Sequence, residues 1–266
     1  MTRVIATAII AYVALCVTAR LGYRLVLYPA PDDPPPIPPA GAKLLSTRAQ
    51  DGTTVWALQF PAADETQRVI VIFHGNGETI ARGIDLALDL SHRGFGVLLA
   101  EYRGYGVSRG AGTPGEQGLY CDAIAVLDAL EAQGIGRERI VVMGMSLGTG
   151  VAAEMARRGR AAALVLVSPY TSISAMARRV VPFLPSAWLC PDKFDTLSKA
   201  GEIHTPTLVV HGDADEVIPV AMGRAVAVAI AGAHLRLIAG GHHNDLFTQY
   251  AGVPLDSIAA FASGHQ

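Results

Sequence analysis

Apolar and polar positions divide the chain into three zones. Residues 4–19 carry no charge and are almost wholly apolar, between Arg3 and Arg20. This run is a little short of the ~20 residues a spanning helix needs. Residues 21–28 continue it with Leu, Val and Tyr, however, and Arg20 and Arg24 have stems long enough to reach an interface. Residues 1–28 therefore read as a single membrane-anchoring helix. Val17-Thr18-Ala19 offers the small residues of a signal-peptide cleavage site as a competing reading. Val13-Ala14-Leu15-Cys16 faintly suggests a lipoprotein site, which the bulky Leu15 opposes. Arg3 and the amino terminus balance Arg20 and Arg24, leaving orientation open.

Residues 29–42 hold seven prolines and no helical period. Such a stretch favours polyproline II and predicts a semi-rigid spacer lifting a domain off a membrane, or a plain boundary linker.

From residue 43 to 266, short β-rich apolar runs alternate with stretches of helical spacing. The runs 53–60, 68–73, 96–101, 139–143, 163–168, 207–211 and 234–239 predict strands. Several are continuously apolar, as in Val69-Ile70-Val71-Ile72-Phe73, which suits strands buried on both faces. Helices are expected over 78–92, 114–133, 147–157, 221–230 and 245–262. The alternation predicts an α/β domain with a mainly parallel sheet covered on both faces. The first strand, with polar alternation, is a candidate antiparallel edge. Residues 169–206 interrupt the pattern with Pro182, Pro185, Pro191 and several aromatics, and read as a short cap.

Composition narrows the function. A formal charge of −2 and a pI near 6.4 give no reason to expect a nucleic-acid partner. Cys16, Cys121 and Cys190 show neither metal-ligand nor CxxC spacing, and their odd number argues against a disulfide framework.

The chemistry starts at Gly144-Met145-Ser146-Leu147-Gly148, a G-x-S-x-G placed after a buried strand and before an Ala-rich helix. A serine on that strained turn projects its hydroxyl above the sheet, and small residues two before and two after permit the tight packing. The helix N-terminus adds partial positive charge where an oxyanion would form. One oxyanion N–H is expected from Leu147, the residue after the nucleophile. The hydroxyl needs a base, and the chain order to seek is serine, acid, histidine. His211-Gly212-Asp213-Ala214-Asp215-Glu216 offers three carboxylates, and Gly241-His242-His243-Asn244-Asp245 offers two histidines. Both clusters follow strands, at the sheet edge where sites form. Periodicity does not choose within either.

With these motifs the chain, from about Leu25 onward, resembles the membrane-anchored α/β-hydrolases that include protein depalmitoylases and lysophospholipid hydrolases. Their bacterial relatives are labelled serine aminopeptidase or esterase-like. Further matching segments are Phe73-His74-Gly75-Asn76-Gly77-Glu78, Tyr102-Arg103-Gly104-Tyr105-Gly106-Val107-Ser108 and Ser168-Pro169-Tyr170-Thr171-Ser172. Tyr23-Arg24-Leu25-Val26-Leu27-Tyr28-Pro29 resembles the segment just after the family's anchor. The resemblance implies the α/β-hydrolase fold and the triad Ser146, Asp215 and His243, with His242 the rival histidine because it stands where a glycine is common. It also implies Asn76 as the second oxyanion N–H. Asp213 then reads as a turn residue, Glu216 as a helix-start carboxylate, Asp245 as the start of the last helix and His74 as structural. Arg103 reads as tied to carbonyls or carboxylates, with a substrate anion as its alternative.

The expected reaction is ester or thioester hydrolysis through an acyl-enzyme on Ser146, with no metal or organic cofactor. The substrate would be a small-molecule, lipid or protein-borne acyl group, and the membrane a partner through the N-terminal helix. An aminopeptidase or amidase would need an acidic group for the substrate amine, and the sequence identifies none. An acyltransferase on the same triad and a non-catalytic binding module complete the alternatives.

Overall fold

The computed structural model describes residues 1–64 and 66–264. The chain opens with α1 (Thr2–Leu27) and then forms β1 (Lys43–Arg48), β2 (Thr54–Phe60), β3 (Val69–Phe73), α2 (Ile84–His92), β4 (Gly96–Ala100) and α3 (Glu116–Ala132). It continues with β5 (Ile140–Met145), α4 (Gly148–Arg157), β6 (Ala163–Val167), α5 (Ile173–Val180), α6 (Ser186–Leu189) and α7 (Thr196–Lys199). The last elements are β7 (Thr207–Gly212), α8 (Val220–Ala229), β8 (His234–Ile238) and α9 (Gly252–Ala262). The strands form one eight-stranded sheet in the order β1-β2-β4-β3-β5-β6-β7-β8. Only β2 is reversed, pairing antiparallel with both β1 and β4; from β4 to β8 neighbouring strands are parallel.

Strands β3 to β6 are buried on both faces, as their continuous apolar runs require. Their alternate side chains feed two cores. One lies under α3, α4 and α8 with Val71, Val142, Leu166 and Val209; the other lies under α2 and α9 with Ile70, Met143, Val165 and Val210. Helix α4 is buried throughout its first nine residues, which only Gly, Ala and Thr at most positions allow so close to the sheet.

The structure departs from the sequence reading at four places. β1 was not anticipated, because its half-exposed edge shows no clear alternation, and it displaces β2 from the edge. Residues 78–83 are turns instead of the first turns of α2, since Glu78 Oε2 is drawn back to accept the Gly75 N–H at 2.9 Å. The final helix begins at Gly252, not at Asp245. Asp245 instead accepts the His242 N–H at 2.7 Å and closes a turn through its carbonyl to Gln249. Finally, residues 29–42 lie on the domain rather than standing away from it. Asp33 grips Arg82 through two hydrogen bonds of 2.7 and 2.9 Å and accepts the Thr79 hydroxyl at 2.8 Å.

Helix α1 is long and apolar enough to cross a membrane, judged by length and composition. Its C-terminal end is tied down by Asp192, a buried carboxylate that accepts the hydroxyls of Tyr23 and Tyr28 at 3.0 and 2.9 Å and the Glu116 N–H at 3.1 Å.

Glu154 pairs with Arg157 and Arg158 at the end of its own helix and ties α4 to Lys199 of α7, within the cap segment. Burial raises its pKa, but hydrogen bonds from Arg157, Lys199 and Arg158 outweigh that and hold it at about 2, below its ordinary 4.5. A carboxyl with a depressed folded-state pKa contributes stability that is present above 4.5 and lost as pH falls toward 2. Denaturation midpoints should therefore drop across that window, and Glu154→Gln should flatten the drop. An unchanged slope in the mutant would remove Glu154 as its source.

Candidate active site

The turn between β5 and α4 sets the geometry. Ser146 adopts φ 48°, a left-handed conformation costly for a residue with a Cβ. The turn is pinned by Ser146 N–H donating to the Val167 carbonyl at 3.0 Å, and by the Thr149 hydroxyl donating to the Ser146 carbonyl at 2.6 Å. Tyr170 Oη adds a bond to the Leu147 carbonyl at 3.1 Å. Glycine is required on either side. A Cβ at Gly144 would strike the Gly148 carbonyl, and one at Gly148 would strike the Phe73 carbonyl. Half-buried Ser146 is thus presented at the C-terminal edge of the sheet.

The loops after β7 and β8 bring the other groups to it. His243 Nε2 lies 3.2 Å from Ser146 Oγ, and His243 Nδ1 lies 2.8 Å from Asp215 Oδ2. Asp215 is fixed by Val217 and Ile218 N–H groups donating to Oδ1 at 3.0 and 2.7 Å. With a carboxylate facing Nδ1, the neutral imidazole carries its proton there and leaves Nε2 to accept from the serine. Burial pushes the Asp215 carboxyl up, but hydrogen bonds from His211, His243 and the Ile218 N–H outweigh it. The group stays well below the ordinary carboxylate range.

The rival residues lie elsewhere. His242 is exposed and its Nδ1 sits 3.0 Å from Glu216 Oε2, which raises the pKa of the imidazole. Glu216 therefore pairs with His242 and does not start a helix, since α8 begins at Val220. Asp213 closes a turn by accepting the Gly240 N–H at 2.7 Å. Arg103 is bound by Asp122 and Asp51 at 2.6 Å each.

The turn from His74 to Gly77 packs beside the serine, with Gly75 offering a Cβ position only 3.5 Å from Ser146 Cβ. Among the described residues, the N–H groups of Asn76 and Leu147 donate to no protein acceptor. Tyr102 Oη and Tyr105 Oη hold the turn by donating to the His74 and Asn76 carbonyls at 3.1 and 3.0 Å. His74 is buried between the Gly75 carbonyl at Nδ1, 2.8 Å, and Glu101 Oε1 at Nε2, 3.0 Å. Both partners offer oxygens that can accept from a ring N–H, an arrangement that favours the protonated ring. Burial opposes this charge, while the hydrogen bond and charge of Glu101 raise the pKa and sustain it.

Four residues around the site were not assigned from sequence. His211, fully buried, donates Nε2–H to the Ile218 carbonyl at 2.9 Å and lies 3.3 Å from Asp215 Oδ2. Its position four residues before Asp215 at a strand end was the available signal. The pair Glu101 and Tyr105 has none, because the sequence does not tell which loop faces His74. Ser168 follows β6 with φ 48° and has a buried hydroxyl without a partner among the described residues. It lines the same cavity as Ser146 and His243, a space of about 330 Å³ walled by Ile72, Leu86, Leu99, Met145, Leu246 and Phe247, with Arg82 and Asp85 also on its lining.

A left-handed serine on a tight strand-to-helix turn, on an eight-stranded sheet with this order, is the architecture of an α/β-hydrolase. Residues 64–196 match the family described as serine aminopeptidase, S33. An uncharacterized protein of Mycobacterium tuberculosis is 32% identical over 270 residues, covering 96% of this chain and 94% of the relative. The alpha/beta hydrolase domain-containing protein 17C of Homo sapiens is 32% identical over 193 residues, 71% of this chain and 57% of that protein. Among solved structures, an esterase of Pyrococcus furiosus superposes with a TM-score of 0.69 at 17% identity, covering 87% of this chain and 98% of that one. The chain belongs to the serine aminopeptidase S33 family of α/β-hydrolases.

The close approach of α4 to β3 gives a direct test. Gly148→Ala should force α4 outward and destabilise the protein by about 1–3 kcal/mol or more, measured as a shift in denaturation midpoint. An unaffected midpoint would mean that the turn is looser than described.

Proposed function

We propose that this chain is a serine hydrolase that cleaves an ester or thioester of a small-molecule, lipid or protein-borne acyl group. The observation that carries the reading is the continuous relay Ser146 Oγ, His243 Nε2, His243 Nδ1 and Asp215 Oδ2, with links of 3.2 and 2.8 Å. Ser146 Oγ attacks the acyl carbonyl while His243 Nε2 takes its proton. Asp215 holds the imidazole in the required tautomer and stabilises the imidazolium that forms. The Asn76 and Leu147 N–H groups receive the oxyanion, beside a turn whose buried His74 favours its protonated form. His243 then protonates the leaving alcohol or thiol, and the same base activates the water that releases the acid. The apolar cavity wall suits an acyl chain, and α1 would serve as a membrane anchor for a domain of residues 43–266 with its cap at 169–206.

A second reading has one observation in its favour. Asp85, a carboxylate without an ion pair among the described residues, is part of the cavity lining and would suit the amine of an aminoacyl substrate, as the family description suggests. One assay separates the two. Hydrolysis of p-nitrophenyl esters from acetate to palmitate should exceed that of aminoacyl p-nitroanilides, and Ser146→Ala should abolish it while leaving the fold intact. Turnover surviving in the purified mutant would sink the mechanism, and a preference for the anilides would favour the peptidase.

The depressed pKa of Asp215 yields a further expectation. Its carboxylate remains ionised throughout the acid limb of the activity profile, so that limb belongs to another group. Asp215→Asn should lower kcat by about 10⁴-fold and, by removing the anion that stabilises the imidazolium, should move the acid limb to lower pH. An unmoved limb with near-normal kcat would contradict the assigned role.

A further inference from the structure

Helix α1 meets the rest of the protein along one stripe, Tyr12, Cys16, Ala19, Tyr23 and Leu27, at helical spacing. At one end of the stripe Tyr23 is held by Asp192; at the other, Tyr12 Oη donates to the Phe183 carbonyl of the cap at 2.9 Å. The cap therefore lies alongside α1 as far as its middle. At a rise of ~1.5 Å per residue the docked part, from Tyr12 to Leu27, runs ~23 Å. That is most of the ~30 Å of a hydrocarbon core. A helix docked in this way does not cross a bilayer while the cap stays in water.

The surface of the cap beside α1 has the chemistry of an immersed one. Val180, Phe183 and Trp188 are large and apolar, yet 73%, 64% and 51% exposed. Helix α1, which packs against α6, is itself exposed and apolar at Ile10, Val13 and Leu21. Arg178 and Arg179 are exposed beside Val180 and make no ion pair among the described residues. Neither residues 1–31 nor residues 155–191 contain a single Asp or Glu. An apolar surface with basic residues and no acidic ones is complementary to an anionic lipid leaflet.

We propose that α1 and the cap form one monotopic membrane-inserting surface. Val180, Phe183 and Trp188 enter the same leaflet as α1, and Arg178 and Arg179 meet the phosphates of anionic headgroups. The inference rests on reading α1 as membrane-associated and sharpens it, because the helix then occupies one leaflet instead of spanning two.

The full-length chain with Trp56→Phe retains Trp188 as its single tryptophan. Flotation with vesicles of phosphatidylcholine, with or without phosphatidylglycerol, measures association, and quenching by lipids brominated on the acyl chain measures insertion. Trp188 should be quenched by the brominated chains and shielded from aqueous iodide. Phe183→Ser should weaken vesicle binding at least about ten-fold, and Arg178→Gln or Arg179→Gln should each weaken binding to phosphatidylglycerol vesicles about five-fold. Flotation with Trp188 still open to iodide would overturn the inference and leave the anchor intact. Absence of flotation would overturn both. Shielding of Trp188 in a vesicle-free dimer would identify a second copy of the chain as the occupant and overturn the lipid assignment.

Discussion

A serine at φ 48° persists only where its neighbours leave the backbone no cheaper path, and the packing of α4 against β3 supplies that restriction. Gly148 lies against the Phe73 carbonyl and Gly144 against the Gly148 carbonyl, so the helix sits closer to the sheet than any side chain permits. The buried run of small residues in α4 maintains this approach along the helix. Through it, the strain at one residue is shared by the central strands. The turn after β3 packs against the same serine, with Gly75 close to Ser146 Cβ.

Charge is distributed around this turn in two fixed units. Asp215 receives two backbone N–H groups and faces two histidines, an arrangement that keeps it anionic despite its burial. His74 and Glu101 form the complementary unit, a buried ion pair roofed by Tyr102 and Tyr105. Burying such a pair is expensive unless each partner is fully hydrogen-bonded. Here the His74 nitrogens are both satisfied, and Glu101 also faces the Ile80 N–H at 3.4 Å.

The central strands were legible because burial on both faces leaves unbroken apolar runs, and Ser146 because its turn has few sequence solutions. Asp215 and His243 followed only from resemblance, since Asp213, Glu216 and His242 are equally acceptable by composition. What separates them is three-dimensional: Asp213 turns toward Gly240, while Glu216 and His242 satisfy each other in solvent. β1 left little pattern because an edge strand buries only part of its surface. The starts of α2 and α9 were misread for a common reason. Glu78 and Asp245 look like helix-start carboxylates, but each is used to close a turn that belongs to the site, at Gly75 and His242.

The grip of Asp33 on Arg82 and Thr79 also has a mechanical meaning. Both partners line the cavity that contains Ser146, whereas Asp33 lies five residues beyond Tyr28, which is fastened to Asp192. The prolines between them have few backbone degrees of freedom, so this stretch behaves as a stiff strut, not a slack tether. The strut thus joins the end of the first helix to two residues of the cavity lining, so the placement of each is referred to the other.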